Sequence, residues 1–297
     1  MHELFCCDKC FGFPSTYACL NPSHFLLTEE WNRKYESQKV VRRPMDGMLY
    51  SWASPQEDEF ALFALGAPSP YEALVVPSLM REPQLLLDLR QHPEEEQERW
   101  KEKLMYFLRL LAIQQRKPMI LKSPPHGFKL PWLPTLFPKA RYVVIERNPY
   151  EVFASNLKLW QTLLDLYSLE SFSPEEVEAF VLSAFILHEQ AIAEGCRAAS
   201  PESLARVRYE DLVRDPIGEM ERLYRELGLT DFDAMRPTLE KHVNRVSSHQ
   251  RNRFCFSVQQ KERVDECWGD LITEKNYHWP DGHLTIADAA SLSHYVA

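Results

Sequence analysis

The segment that most constrains this chain runs from Arg141 to Ser155, Arg-Tyr-Val-Val-Ile-Glu-Arg-Asn-Pro-Tyr-Glu-Val-Phe-Ala-Ser. Tyr142–Ile145 is apolar and largely β-branched, with no polar alternation, which fits a strand buried on both faces of a parallel sheet. Arg147 follows almost at once, and Pro149 stands where a first helical residue prefers it. Phe153, Leu157 and Trp160 recur at helical spacing, so the pattern predicts a helix from about Pro149 to about Tyr167. A helix that starts at the carboxyl end of a parallel strand offers N–H groups and a favourable dipole to an anion. Arg147 adds a planar cationic fork, and Ser155, two turns into the helix, adds a hydroxyl. An ordinary strand-to-helix joint with a surface arginine would look the same, so the case depends on two further segments.

The first is Leu204–Pro216. It predicts a short strand, about Ala205–Tyr209, then an acidic turn. A helix follows that opens near Pro216 and closes at Gly228, with Leu223, Tyr224 and Leu227 on one face. The second is Lys122-Ser-Pro-Pro-His126, just after a predicted strand at Met119–Leu121. Lys122, His126, Arg147 and Tyr209 would then all lie near the carboxyl ends of strands, the edge where open α/β sheets bind ligands.

With these segments in order, the chain resembles the PAPS-dependent sulfotransferases of bacterial type. The resemblance is carried by Leu-Lys-Ser-Pro-Pro-His (121–126), Leu-Phe-Pro-Lys-Ala-Arg-Tyr-Val (136–143), the Arg-Asn-Pro…Ser run of 147–155, and Val-Arg-Tyr-Glu-Asp-Leu-Val-Arg-Asp-Pro (207–216). The stretches at 17–29, 43–46 and 55–60 are similar to this family too, so the likeness covers most of the chain. It implies an α/β fold, a P-loop-NTPase-like parallel sheet flanked by helices. It implies PAPS (3′-phosphoadenylyl sulfate) as co-substrate and no metal. Arg147 and Ser155 would hold the 3′-phosphate and Tyr209 would sit by the adenine. Lys122 would lie near the transferred group, and His126 would match a histidine that takes the acceptor's proton. Arg253, in the basic run Gln250–Arg253, would lie in a segment that closes over the nucleotide.

The same resemblance implies an opening strand and a Ser-Gly-Thr loop around the 5′-phosphosulfate, and neither is found. Met1-His-Glu-Leu-Phe-Cys-Cys-Asp aligns with the end of the helix that should follow that loop. The reading preferred here is that the first strand and loop lie upstream of this Met1; a fragment, or an inactive nucleotide-binding relative, is the alternative. A kinase-like P-loop phosphotransferase is weaker still, because no Gly-Lys-Ser/Thr loop is present.

The 297 residues, 45% hydrophobic and 26% charged, suit one globular domain. Within it, 14–80 would form acceptor-side loops, 118–228 the nucleotide-binding core and 231–297 the C-terminal helices. A net charge of −9 speaks against nucleic acid as partner. The basic run Lys39–Arg43 could meet an anionic substrate, although such a run is more often solvated surface. No apolar run reaches membrane-spanning length and no signal peptide is evident, so a cytoplasmic enzyme acting on a small-molecule or glycan acceptor is expected. Seven cysteines at irregular spacings, Cys7 and Cys10 included, read as reduced thiols; no second pair completes a zinc set.

Further helices are predicted at 1–9, 94–114 (with Trp100, Leu104, Phe107, Leu108 and Leu111 on one stripe), from Ser173 to about Ala198 behind a capping box, at 231–246 and at 258–269. The region 14–80 reads as short helices and long loops. Its Trp31, Tyr50, Trp52, Phe60, Phe63 and Tyr71 could stack on an acceptor, though most read as core. An imidazole suits the removal of a hydroxyl proton near neutrality, which favours His126 as base. A carboxylate among Glu57, Asp58 and Glu59 is the rival.

Overall fold

Two parallel strands set the frame for everything that follows. The computed structural model describes residues 1–35, 40–42, 49–246, 254–280 and 284–287. In chain order the first elements are α1 (His2–Phe5), α2 (Thr16–Leu20), α3 (Phe25–Tyr35), a hairpin of β1 (Val41–Arg42) and β2 (Leu49–Tyr50), and α4 (Glu59–Ala64). Short 3-10 turns and α5 (Pro83–Leu87) lead to α6 (Glu94–Gln115). Then come α7 (His126–Lys129), α8 (Leu133–Leu136), β3 (Tyr142–Glu146), α9 (Pro149–Tyr167) and α10 (Pro174–Ala198). After them follow β4 (Leu204–Arg208), α11 (Tyr209–Arg214), α12 (Pro216–Glu226), α13 (Phe232–Val246), β5 (Phe254–Ser257), α14 (Val258–Glu274) and β6 (Leu284–Ala287).

β3 and β4 pair in parallel from Tyr142↔Leu204 to Glu146↔Arg208. The register makes Arg147 and Tyr209 the next residue of each strand, side by side at the carboxyl edge. β5 and β6 form a second parallel pair. The fold is α/β, with helices packed around short parallel strands.

Several expectations need correcting. The strand at Met119–Leu121 is only an isolated parallel bridge between Gly12 and Met119, with the Ile120 N–H donating to the Gly12 carbonyl at 2.8 Å. Pro118 and the Pro124-Pro125 pair flank this stretch and cannot donate to a ladder, which keeps it short. β3 is not buried on both faces: Val144 is buried but Ile145 is 43% exposed. The acidic turn after β4 is the helix α11, whose first turn holds Glu210 and Asp211 where they oppose the helix dipole favourably. Helix at the N-terminus covers only His2–Phe5, and the C-terminal part carries β5 and β6 besides its helices.

The longer helices behave as their patterns require. Trp100, Leu104, Phe107 and Leu111 are the buried stripe of α6. Ser173 and Glu176 exchange the two bonds of a capping box at the start of α10. Gly228 ends the α12 segment at φ +63°, a backbone state that favours glycine. Phe153 of α9, Phe180 of α10 and Trp268 of α14 share one core cluster. Ile120, Val143 and Val207 pack in another, which ties the stretch before Lys122 to β3 and β4.

α10 lies against the α7 segment through Gly195. A methyl group there would stand 2.7 Å from the Leu130 backbone carbon and 2.4 Å from its Cγ. Because the backbone cannot yield as a side-chain tip can, Gly195→Ala is expected to destabilise the fold by about 1–3 kcal/mol, read as a lower urea midpoint.

Candidate active site

Three consecutive carboxylates, Glu57, Asp58 and Glu59, face three basic side chains spaced along residues 122–129. Lys122 Nζ lies 2.5 Å from Glu57 Oε1, His126 Nε2 lies 2.8 Å from Asp58 Oδ2, and Lys129 Nζ lies 2.7 Å from Glu59 Oε2. This ladder deepens step by step: Lys122 is exposed, His126 half-buried, and Lys129 and Glu59 wholly inside. Asp58 occupies the N-cap position of α4, yet its side chain makes no capping bond. An aspartate there usually accepts from its own helix; this one is spent on His126 instead, 68 residues away.

Both outer carboxylates are fully engaged. Glu57 accepts from Lys122 on one oxygen and from the Tyr71 hydroxyl on the other. Glu59 accepts from Lys129 on both oxygens and from Ser69 at 2.8 Å. Burial, with Glu57 alongside, pushes the Tyr71 phenol well above its ordinary pKa, so Tyr71 stays the donor.

His126 opens α7, its N–H bonded to the Ser123 carbonyl at 3.0 Å. Burial opposes a charge on the imidazole, but the Asp58 carboxylate outweighs it and holds His126 above its usual pKa. On Asp58 burial pushes the other way and His126 reverses it, keeping the carboxyl below the usual range. An ionised carboxylate can only accept, so in the neutral ring Nε2 carries the proton and Nδ1 keeps its lone pair. The second Asp58 oxygen, Oδ1, is buried without a hydrogen-bond partner among the described residues.

A second group stands at the β3–β4 edge. The Arg147 guanidinium lies over the Tyr209 ring, 4.5 Å from its centre. Arg147 also donates through Nε to one oxygen of buried Glu151 at 2.9 Å, and its Nη2 lies 2.9 Å from the same oxygen. Ser155 follows Glu151 by four residues on α9, so the two line one face, and Arg147 reaches that face through Glu151. Among the described residues the Ser155 hydroxyl, half-buried, has no hydrogen-bond partner. The helix start is less open to an anion than the sequence suggests: Pro149 has no N–H, the Tyr150 N–H is taken by the Asn148 side chain, and the Asn148 N–H by Glu210. Among side chains, what remains for a phosphate is the guanidinium, whose N–H groups not used by Glu151 stay available, and the Ser155 hydroxyl. The residues present therefore fit the 3′-phosphate end of a nucleotide. Arg253 lies outside the described residues, as do Lys39 and Arg43 of the basic run.

A family model described as "Sulfotransferase family" matches residues 25–234. The chain belongs to the sulfotransferase family. It is 36% identical over 95% of its length to an enzyme named omega-hydroxy-beta-dihydromenaquinone-9 sulfotransferase Stf3, in Mycobacterium bovis and in Mycobacterium tuberculosis, covering 73% of each. Among solved structures this sulfotransferase is similar to STF9 from Mycobacterium avium, with a TM-score of 0.67 at 15% identity over 93% of this chain and 73% of that one. It is also similar to STF1 from Mycobacterium tuberculosis H37Rv, with a TM-score of 0.61 at 20% identity, over 81% and 67%.

The sequence put Lys122 and His126 in the site but weighed Asp58 only as a rival to His126. Two signals were available: an acidic triplet at a helix start, where three adjacent charges must each find a partner, and Lys-x3-His-x2-Lys at helical spacing. None of the wall aromatics is fully buried: Trp31 is exposed, and Tyr50, Trp52, Phe60, Phe63 and Tyr71 are half-buried, with Phe60 packed against a core cluster that holds Phe25 and Phe107. The Phe60 and Tyr71 rings stand 5.0 Å apart.

Proposed function

We propose that this sulfotransferase moves a sulfuryl group from PAPS to the hydroxyl of a small lipid-like alcohol, with His126 as general base. The observation that carries this reading is the Asp58–His126 pair: of the candidate bases, only His126 has a free lone pair beside a carboxylate that stabilises its protonated form. Glu57 and Glu59 already accept from two donors each.

PAPS, when bound, supplies a sulfuryl group on a phosphate that leaves as adenosine 3′,5′-bisphosphate. Arg147 and Ser155 hold the 3′-phosphate, and Tyr209, stacked on Arg147, flanks the base. His126 Nδ1 receives the acceptor's proton as its oxygen bonds to sulfur, and Asp58 fixes the ring's tautomer and orientation. Lys122 uses one N–H on Glu57 and keeps others for the charge that develops on oxygen. The acceptor class rests on the substrate for which the relative is named, an omega-hydroxy-beta-dihydromenaquinone, and on the half-buried aromatic wall.

The test is product formation: the chain, PAPS and a hydroxylated prenyl quinone in detergent, with the sulfated product read by mass spectrometry. No product from this alcohol, with turnover of a sugar or phenol, would overturn the acceptor class. Calorimetry with adenosine 3′,5′-bisphosphate checks the nucleotide half. Losing hydrogen bonds to a charged group costs about 1.5–3 kcal/mol each, so Arg147→Ala is expected to weaken binding roughly ten- to hundredfold. Unchanged affinity would remove Arg147 from the site.

A further inference from the structure

α3 is amphipathic the wrong way round. Its inner side is held by Phe25 together with two polar residues, Glu29 and Asn32, all buried. Glu29 accepts from Ser15 Oγ at 2.5 Å and from Gln114 Nε2 at 2.6 Å. Its outer side carries Leu27, Trp31 and Tyr35, spaced four apart and 85%, 59% and 61% exposed. A surface helix normally turns such residues inward. The two rings stand 5.1 Å apart and form one ridge.

The charge beside the ridge is mainly basic, with Glu30 the exposed acid on the same helix. Arg33 and Lys34 occupy the last turn of α3, and Lys34 Nζ lies 5.2 Å from the centre of the Tyr35 ring. In a chain of net charge −9, five of the six charged residues from Trp31 to Arg43 are basic. Exposed leucine with Trp and Tyr, whose rings are apolar but polar-tipped, beside lysine and arginine is the composition that settles at an anionic bilayer surface.

The ridge is also joined to the site. Ser15, which holds Glu29, forms a backbone bridge with Pro55, and the Gln56 N–H donates to the Pro14 carbonyl at 3.0 Å. Glu57 and Asp58 are the next residues.

We infer that the outer face of α3 docks on an anionic lipid bilayer, with Leu27, Trp31 and Tyr35 entering the headgroup region and Arg33 and Lys34 meeting lipid phosphates. The chain then lies on the membrane without crossing it; no helix among the described residues is long and apolar enough to span one. This inference rests on the lipid-alcohol reading of the acceptor: docking would bring the acceptor wall to a substrate dissolved in the bilayer.

Co-flotation with phosphatidylcholine–phosphatidylglycerol vesicles, against pure phosphatidylcholine vesicles, tests it. The chain is expected to float with the mixed vesicles and far less with the neutral ones. The Leu27→Ser/Tyr35→Ser variant is expected to bind the mixed vesicles at least about tenfold more weakly, from the apolar area withdrawn. It should keep its unfolding midpoint and its turnover of a detergent-dispersed acceptor. Lys34→Glu, a surface change that leaves the helix intact, is expected to weaken binding to the mixed vesicles alone. A chain that fails to float, or variants that float as well as the parent, overturn the inference. So does a dimer in solution that the double variant dissociates without any vesicle binding, which would make the ridge an interface between copies. Failure of the detergent assay on a prenyl quinone alcohol sinks the acceptor reading, while flotation reports on the docking face separately.

Discussion

Single-turnover sulfuryl transfer by the His126→Ala variant is expected to fall about 10²–10⁴-fold, the usual worth of a positioned general base. The pH dependence carries more information than the size of the loss. A base must be neutral to accept a proton, so kcat/KM rises with pH through the pKa of His126. Asp58 holds that pKa above the ordinary imidazole value, so the acid limb of the parent enzyme lies above pH ~6.5. Asp58→Asn removes the negative charge but leaves the ring as buried as before. Burial then loses its main opponent, the imidazole pKa falls, and the acid limb moves to lower pH. The plateau falls too, because an amide can donate to Nε2 and so hold the wrong tautomer. Glu57→Gln, one rung away, is expected to leave the position of the acid limb nearly unchanged. Near-normal single-turnover rates in His126→Ala would refute the base assignment. An unmoved acid limb in Asp58→Asn would show that Asp58 does not act through His126.

What could be read from the sequence was what is written locally. Tyr142–Ser155 announces itself because a β-branched run, a cation and an N-terminal proline each bias the backbone over a few residues. The helices α9, α10 and α12 accordingly begin and end where their prolines, capping residues and Gly228 place them. The Arg147–Tyr209 stack was within reach, since both residues follow strands that pair in register. The Asp58–His126 contact was not, because no local preference says which of three adjacent carboxylates meets a histidine 68 residues later. α3 was hidden for a related reason. Its buried side is held by Glu29 and Asn32 and its apolar residues face out, so a search for an inward apolar stripe passes over it.

The innermost rung should dominate stability. Lys129 and Glu59 are both shielded from water, the Lys129 ammonium lies 4.8 Å from the centre of the Trp100 ring, and Ser69 completes the hydrogen bonding of Glu59. Glu59→Gln keeps the shape but leaves the ammonium without its counter-charge, and breaking a buried pair in this way is expected to cost about 3–5 kcal/mol, read as a lower urea midpoint. The Lys122–Glu57 rung has the same chemistry at the surface, and Glu57→Gln is expected to cost no more than about 1 kcal/mol. A loss below 1 kcal/mol in Glu59→Gln would mean that water reaches the pair. The double variant Glu59→Leu/Lys129→Met separates stability from placement. Apolar residues of similar volume often replace a buried pair without loss, so this variant should recover most of the stability that the single change removes. Glu59 is the residue after Asp58, and Lys129 closes the helix that His126 opens, so the same ion pair also sets how far α4 and α7 are shifted along each other. If the double variant folds as well as the parent but transfers sulfuryl groups more slowly, the innermost pair is there to hold the dyad in register.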